Sequence, residues 1–398
     1  MKKNLLAIAV ISSVAGFAQA QSSVAIYGII DGGVSYNSKI GKADGSTAGV
    51  TTVESGVKQA SRMGFTGSED LGGGMKAVFT LETRFSIDTG VLGQGGRLFG
   101  GTSTVGLSGS LGTVLLGRQK DYLDDLSIYT SVVPFGVVVN NVHAVNLDRT
   151  EGSRVNNSIR YNSPTINGFT ASAIYGFGET AGQISTGQSL GLAGSYANGP
   201  FGIGLGYFQA KLGTFSGTPP VSSSSDSGIV GAGCSSVAMG KAGDTCLKTI
   251  FLGASYQAGP AFIHGSWSQV KQPLAIAGAN APSFAGAGFL AGSQFTLGGL
   301  NNDKINVFDL GVNYALSSQF SVQTSLIQSR AKFLGAGDGK VTQLSLGTDY
   351  TLSKRTDLYV FYANQRASHM YAPGVGVTGG PGADNSVSQI IVGMRHKF

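Results

Sequence analysis

Residues 75–88 read MKAVFTLETRFSID, and polarity alternates almost without a break. Ala77, Phe79, Leu81, Phe85 and Ile87 share one parity, with Thr83 as the single polar member. Lys76, Thr80, Glu82, Arg84, Ser86 and Asp88 take the other. Successive side chains of a strand point to opposite faces, so this segment reads as a strand with one apolar and one polar face. It is much longer than the usual ~5–6 residues of a globular strand. The same period recurs in 153–162, 169–177, 250–256, 308–316, 320–333, 341–352, 358–364 and 387–398.

The spacers come in two kinds. Short Gly/Asn/Asp/Pro turns occupy 69–74, 109–112, 163–168, 198–200, 259–260, 317–319 and 353–355. Longer, patternless segments occupy 39–59, 119–152, 213–247, 272–302 and 366–386. Hairpins with tight turns at one end and long loops at the other are the pattern of a transmembrane β-barrel. Composition agrees. Charged residues make up 12% of the chain, against about 25% in soluble domains. Glycine is abundant, with 63 residues, and proline scarce, with 10. No Gly-X-Y period supports collagen. Low charge with 9% aromatic residues excludes a disordered chain. Beyond the N-terminus no apolar run approaches the ~20 residues of a spanning helix.

Which face meets lipid follows from size. The polar faces carry Arg, Lys, Glu and Asp at strand centres, where a soluble sandwich would place its water-facing side. A barrel of about 16 strands is too wide for side chains to fill, so its interior is wet. The apolar parity then faces acyl chains, and closure leaves no unpaired sheet edge in hydrocarbon. The expected fold is all-β: an antiparallel transmembrane barrel of about sixteen strands.

Residues 1–20 read MKKNLLAIAVISSVAGFAQA. Lys2 and Lys3, an apolar stretch over 5–14, and Ala18-Gln19-Ala20 match an export signal. Cleavage after Ala20 leaves a barrel domain over 21–398 and lowers the net charge from +6 to +4. Cys234 and Cys246 lie in one Gly/Ser-rich stretch. In an oxidising compartment they are expected to form a disulfide within that loop. No histidine lies near them to complete a zinc site, and no metal or cofactor is expected. The last strand, VSQIIVGMRHKF, keeps Ile390, Val392, Met394, His396 and Phe398 on one parity, with Arg395 and Lys397 on the other. A terminal amphipathic strand ending in Phe resembles those that outer-membrane barrels present to their insertion machinery.

Longer motifs sharpen the reading. SSVAIYGIIDGGV (22–34), SRMGFTGSEDLGGGMKAVFTLETRFSIDTG (61–90), GRLFG (96–100), VGLSGSLGTVLLGRQ (105–119) and SRVNNSIRYNSP (153–164) resemble the β-proteobacterial branch of the Gram-negative general porins. The resemblance implies a sixteen-stranded barrel, a homotrimer in the outer membrane, and an inward-folded third loop. It also implies passive diffusion of small hydrophilic solutes and ions. In that family the arginines of S-R-x-G and R-x-N-N line the constriction, which points to Arg62 and Arg154. A further basic residue usually follows L-F-G; here the position is Gly101.

The residues locate the loop independently, at about 119–153. This long segment lacks a strand pattern, and such segments are usually functional or disordered. It carries Asp121, Asp124, Asp125, Asp148 and Glu151 against Lys120 and Arg149, and its apolar run 132–141 needs something to pack on. Opposite it, Arg62, Arg84, Arg154 and Arg160 sit on polar parities and are expected to face the lumen. Arg97 is a further candidate, and Arg118 is ambiguous because it shares parity with Val114 and Leu116. The basic wall is therefore expected from Arg62, Arg84, Arg97, Arg118, Arg154 and Arg160, and the acidic side from Asp121, Asp124, Asp125, Glu151 and Glu82. The basic wall and the mature net charge of +4 suggest mild anion preference, which the acidic loop opposes.

Two rival functions need features of other kinds. A barrel hydrolase needs a nucleophile with a positioned base, but His143, His264, His369 and His396 are scattered and sit in no H-E-x-x-H or G-x-S-x-G setting. An adhesin or receptor working through long loops is the other. No feature suggests nucleic acid as a partner; water-soluble solutes, ions and membrane lipid are the expected ones.

Overall fold

A computed structural model of the chain describes residues 22–42, 46–140, 142–143, 154–179, 181–182, 184, 188–211, 245–271, 302–333, 337–368 and 386–398. The expected signal segment 1–20, Glu151, Cys234 and the side chain of Cys246 lie outside them, so the export signal and the disulfide stay expectations.

The strands, in chain order, are β1 (Ser23–Gly41), β2 (Thr47–Ser55), β3 (Arg62–Gly72), β4 (Met75–Arg84), β5 (Thr102–Gly109), β6 (Gly112–Lys120), β7 (Arg154–Asn162), β8 (Phe169–Gly176), β9 (Ser189–Asn198), β10 (Phe201–Lys211), β11 (Thr245–Ala258), β12 (Ala261–Lys271), β13 (Asn302–Ala315), β14 (Phe320–Phe333), β15 (Gly337–Thr351), β16 (Thr356–Ser368) and β17 (Ser386–Lys397). From β3 onward each pairs antiparallel with the next, and β17 pairs with β1, closing the sheet. β1 meets two partners end to end. Ser23–Ile29 pair with β3, and Gly32–Gly41 pair with β2. β2 and β3 are thus two halves of one wall position, and the ring has sixteen.

Two segments differ from the sequence reading. The patternless stretch 39–59 contains the end of β1 and all of β2; its alternation is among Thr, Val, Ser and Glu and carries little hydropathy contrast. Conversely, the strand expected to reach Asp88 stops at Arg84, where Ser86 and Val91 close a turn (Ser86 N–H to Val91 O, 2.9 Å).

Large apolar side chains face outward. Leu310 is 59% exposed, Val392 56% and Leu205 58%, while Gln343 and Ser345 on the opposite parity are fully buried. This inversion of a soluble protein is what a barrel in hydrocarbon requires. The wall is uneven. β5 to β8 span 8–9 residues, whereas β13 to β16 span 13–15.

The third long connection leaves β6 at Lys120 and turns into the barrel. Its short helical turns Leu123–Leu126, Ser127–Tyr129, Val132–Phe135 and Val137–Asn140 bring Leu123, Leu126, Tyr129, Val132, Phe135 and Val138 into a buried cluster. That cluster includes inward residues of the wall, among them Ile174, Phe208, Phe251, Val307, Ile327 and Phe361. Strands β8 to β16 therefore carry apolar residues on both faces. The inward ones are the loop's bed rather than a lipid surface. Inward glycines make room: a Cβ on Gly206 would lie 2.3 Å from Tyr122, and one on Gly253 2.4 Å from Tyr129.

Candidate functional site: a charged throat

The loop is pinned to the far wall by polar contacts. Asp309 on β13 accepts hydrogen bonds from Ser131 N–H and Ser131 Oγ–H, both at 2.6 Å, and its Oδ2 lies 3.2 Å from His143 Nε2. Gln343 Nε2 donates to Val138 O (2.9 Å). The fold thus gathers Ser131, His143 and Asp309, which are scattered in the sequence. The carboxylate stands between serine and histidine, whereas a hydrolytic triad needs the imidazole in the middle; the set works as a clamp.

Between loop and near wall lies a cavity of about 450 Å³. Arg62, Arg84 and Arg154 line it from the wall, with Lys120 and Asp124 from the loop's root. Lys58, Arg395 and Lys397 line it from the closure of the barrel. Seven cations face one carboxylate.

Six of the seven cations are held by polar partners. Arg62 and Arg84 are directly opposed in the β3–β4 register. Like charges so placed destabilise a sheet, and Glu82 relieves them. Its Oε1 accepts from Arg84 Nε (2.7 Å), and its Oε2 lies 3.7 Å from Arg62 Nη1 and accepts from Tyr27 O–H (3.2 Å). Arg154 Nε donates to Gly101 O (3.3 Å). A Cβ at Gly101 would lie 2.5 Å from Glu82 Oε1, so the glycine makes room for that carboxylate. At the closure, Lys58 pairs with Asp349 and with Asp357 (3.1 Å), and Arg395 Nη2 lies 2.9 Å from Asp357.

Other expected residues sit elsewhere. Arg118 does turn inward, because β6 carries a bulge between Gly117 (φ 125°) and Gln119 that shifts parity. It is bound to Gly100 O (2.8 Å), Asn156 and Gln94, beside rather than in the cavity. Arg97 is exposed on the β4–β5 connection, with Nη1 on Gln94 O (2.7 Å), away from the throat. Arg160 straps the loop from behind: it pairs with Asp125 and donates to Lys120 O (3.0 Å). Desolvation by the neighbouring loop and wall pushes the Asp125 carboxyl above its ordinary range, against the pull of Arg160, although 55% of the side chain still meets solvent. Asp121 is fully buried and accepts from Leu123 N–H (2.9 Å), shaping the loop's first turn. Glu82 stands on the basic wall itself. Of the expected acidic face, Asp124 alone among the described residues lines the cavity, and it pairs with Lys120.

Sequence reasoning did not assign Lys58, Lys120, Arg395 or Lys397 to the throat. Arg395 and Lys397 carried a signal, the inward parity of the last strand. That β17 closes beside β1, next to β3, was the missing piece.

Comparison with known proteins bears on what this architecture is. A family model described as Gram-negative porin matches residues 7–369. Outer membrane porin protein 32 of Delftia acidovorans is 34% identical over 415 residues, spanning 100% of both chains. An outer membrane porin protein of Bordetella pertussis is 30% identical over 430 residues, again with full coverage of both. Among solved structures, an anion-selective porin from Comamonas acidovorans superposes with a TM-score of 0.69 at 28% identity, covering 95% of this chain and 100% of that one.

Proposed function

Because this chain belongs to the Gram-negative porin family, whose members are diffusion channels of the outer membrane, we propose that its throat passes small hydrophilic solutes with a preference for anions. The observation that carries this reading is the excess of cations at the cavity: seven line it, and four carboxylates, Asp124, Glu82, Asp349 and Asp357, pair with them.

The physics is electrostatic focusing. Unit charges ~4 Å apart interact by about 4 kcal/mol at an effective dielectric of ~20. Clustered cations in a narrow passage with low-dielectric walls raise the local anion concentration. The arginines are oriented by backbone carbonyls and by Glu82, so the field is fixed rather than averaged over rotamers. Ordered water in such a field disfavours apolar solutes. The selectivity device is a ring of charged side chains. The anion-selective label of the Comamonas structure belongs to that protein; the cation cluster is the independent reason to extend it here.

The wall suggests assembly as well. Strands of 8–9 residues in β5 to β8 fall at or below the ~9–11 a tilted strand needs to span the bilayer. A low wall is best shielded by further copies of the chain, in keeping with a homotrimer.

Ion substitution on single channels in planar bilayers tests the reading. Steady ohmic steps are expected. Replacing chloride by a bulky organic anion should lower conductance more than replacing potassium by a bulky cation. Equal or opposite sensitivity would overturn anion preference, and absence of steps would overturn diffusion.

A further inference from the structure

The ladder of β1 contains a mismatch. Ile29 pairs with Arg62 and Gly32 with Ser55. Two residues of β1, Ile30 and Asp31, stand between these ladders, so a regular partner strand needs two residues there. The chain has six, 56–61. The four in excess leave the wall, and they leave it inward: Lys58, Gln59 and Ala60 line the throat cavity.

The excursion is tied down. Asp31 is fully buried on the inward parity. Its Oδ2 accepts the backbone N–H groups of Lys58 (3.2 Å) and Gln59 (2.8 Å), and its Oδ1 accepts Tyr359 O–H from β16 (2.7 Å). Asp31 O accepts Gly56 N–H (2.7 Å) and Ser61 Oγ–H (3.0 Å). Backbone donors that leave a ladder need acceptors, and charge-assisted ones are strong. From across the lumen the loop meets this shelf. A Cβ on Gly136 would fall 2.2 Å from Val57 O and 2.6 Å from Lys58 O, and fully buried Val57 joins the loop's apolar cluster.

We propose that residues 56–61 are a second jaw of the throat, positioned by Asp31, and that the contact of this jaw with Gly136 sets the clear width of the channel. The loop does not narrow the lumen against a flat wall; it closes on a shelf that carries Lys58 and Gln59. The inference rests on the reading of the chain as a diffusion channel.

The test is deletion of residues 57–60. It leaves Gly56 and Ser61 opposite Asp31 and Ile30 and makes β2 and β3 one continuous strand. Single-channel conductance and the size limit for sugars entering reconstituted liposomes should both rise above those of the parent. Asp31→Asn should move both readouts the same way by less. A folded deletion variant, identified by heat-modifiable migration, with parental conductance and size limit would overturn the proposal. If the deletion fails to fold, Gln59→Cys replaces it. Labelling with a bulky charged methanethiosulfonate should reduce conductance, while the identically treated parent should not change. A labelled channel of unchanged conductance, with labelling shown by mass, would equally overturn it. A parent that gives no steps defeats the channel reading instead, so the two failures are distinct.

Discussion

Arg62 and Arg84 stand opposite each other across neighbouring strands, and one carboxylate, that of Glu82, is bonded to Arg84 and close to Arg62. The throat's basic wall is therefore built around an acid. Replacing it by Glu82→Gln keeps the shape and removes the charge. Anion preference should increase, because the wall's field is no longer partly cancelled. Stability should fall, by about 3–5 kcal/mol, since removing one partner of a buried pair leaves its cations unmatched. Zero-current potentials and denaturant melts of the same preparation check both.

Reversing a lining charge should have the opposite sign. Arg154→Glu and Arg62→Glu each change the local charge by two and place a carboxylate in the cavity. Selectivity should shift toward cations without loss of the barrel. The shift should be larger for Arg154, which leans on the Gly101 carbonyl, than for Arg62, whose charge Glu82 already offsets in part. Unchanged selectivity in a folded variant would place these side chains outside the permeation path.

The loop's seat gives a steric prediction. Gly206 faces Tyr122, and a Cβ there has no room. Gly206→Val should push the loop toward the lumen and lower single-channel conductance. Overpacking of this kind costs about 1–3 kcal/mol. A surface substitution on the outward parity of the same strand, Leu205→Val, should leave conductance at the parental value.

Asp125 predicts a pH dependence. Partial desolvation raises its carboxyl above the ordinary value even with Arg160 beside it. A carboxyl raised in the folded state binds its proton more tightly there than when unfolded. Its stabilising contribution is present at low pH and lost as pH rises through the folded value. Asp125→Asn removes this carboxyl and also the partner of buried Arg160, so the titration shows in the pH trend: the stability of the parent relative to Asp125→Asn should fall as pH rises from about 4 to 7. Paired denaturant melts at the two pH values check that trend.

Much of this was legible in the chain because a wall strand with one wet and one greasy face writes its period directly. Residues 75–84 and 341–351 show it plainly. β10, FGIGLGYFQAK, did not, since its inward positions are Gly202, Gly204, Gly206 and Phe208 rather than polar residues. Those positions make sense only once Tyr122, Leu126 and Tyr129 of the loop rest on them. The arginines of β3 and β7 were readable from parity and motif. Arg118 was not, because a bulge at Gly117 shifts the count. The loop's acids were visible as charges, but their directions were not. Asp121 turns to a backbone N–H and Asp125 to Arg160, leaving Asp124 toward the cavity. Lys58 was hidden because the shelf that carries it arises from a mismatch between two ladders, and no local pattern records that.

The central claim is that the excess of cations at the throat, seven against the four carboxylates paired with them, governs which ion passes. The zero-current potential across a planar bilayer holding the purified protein in a potassium chloride gradient tests it most directly. The account predicts the sign for chloride being more permeant than potassium, with a ratio that declines as total salt rises and screening sets in. A potential of the opposite sign, or one insensitive to salt, would contradict it.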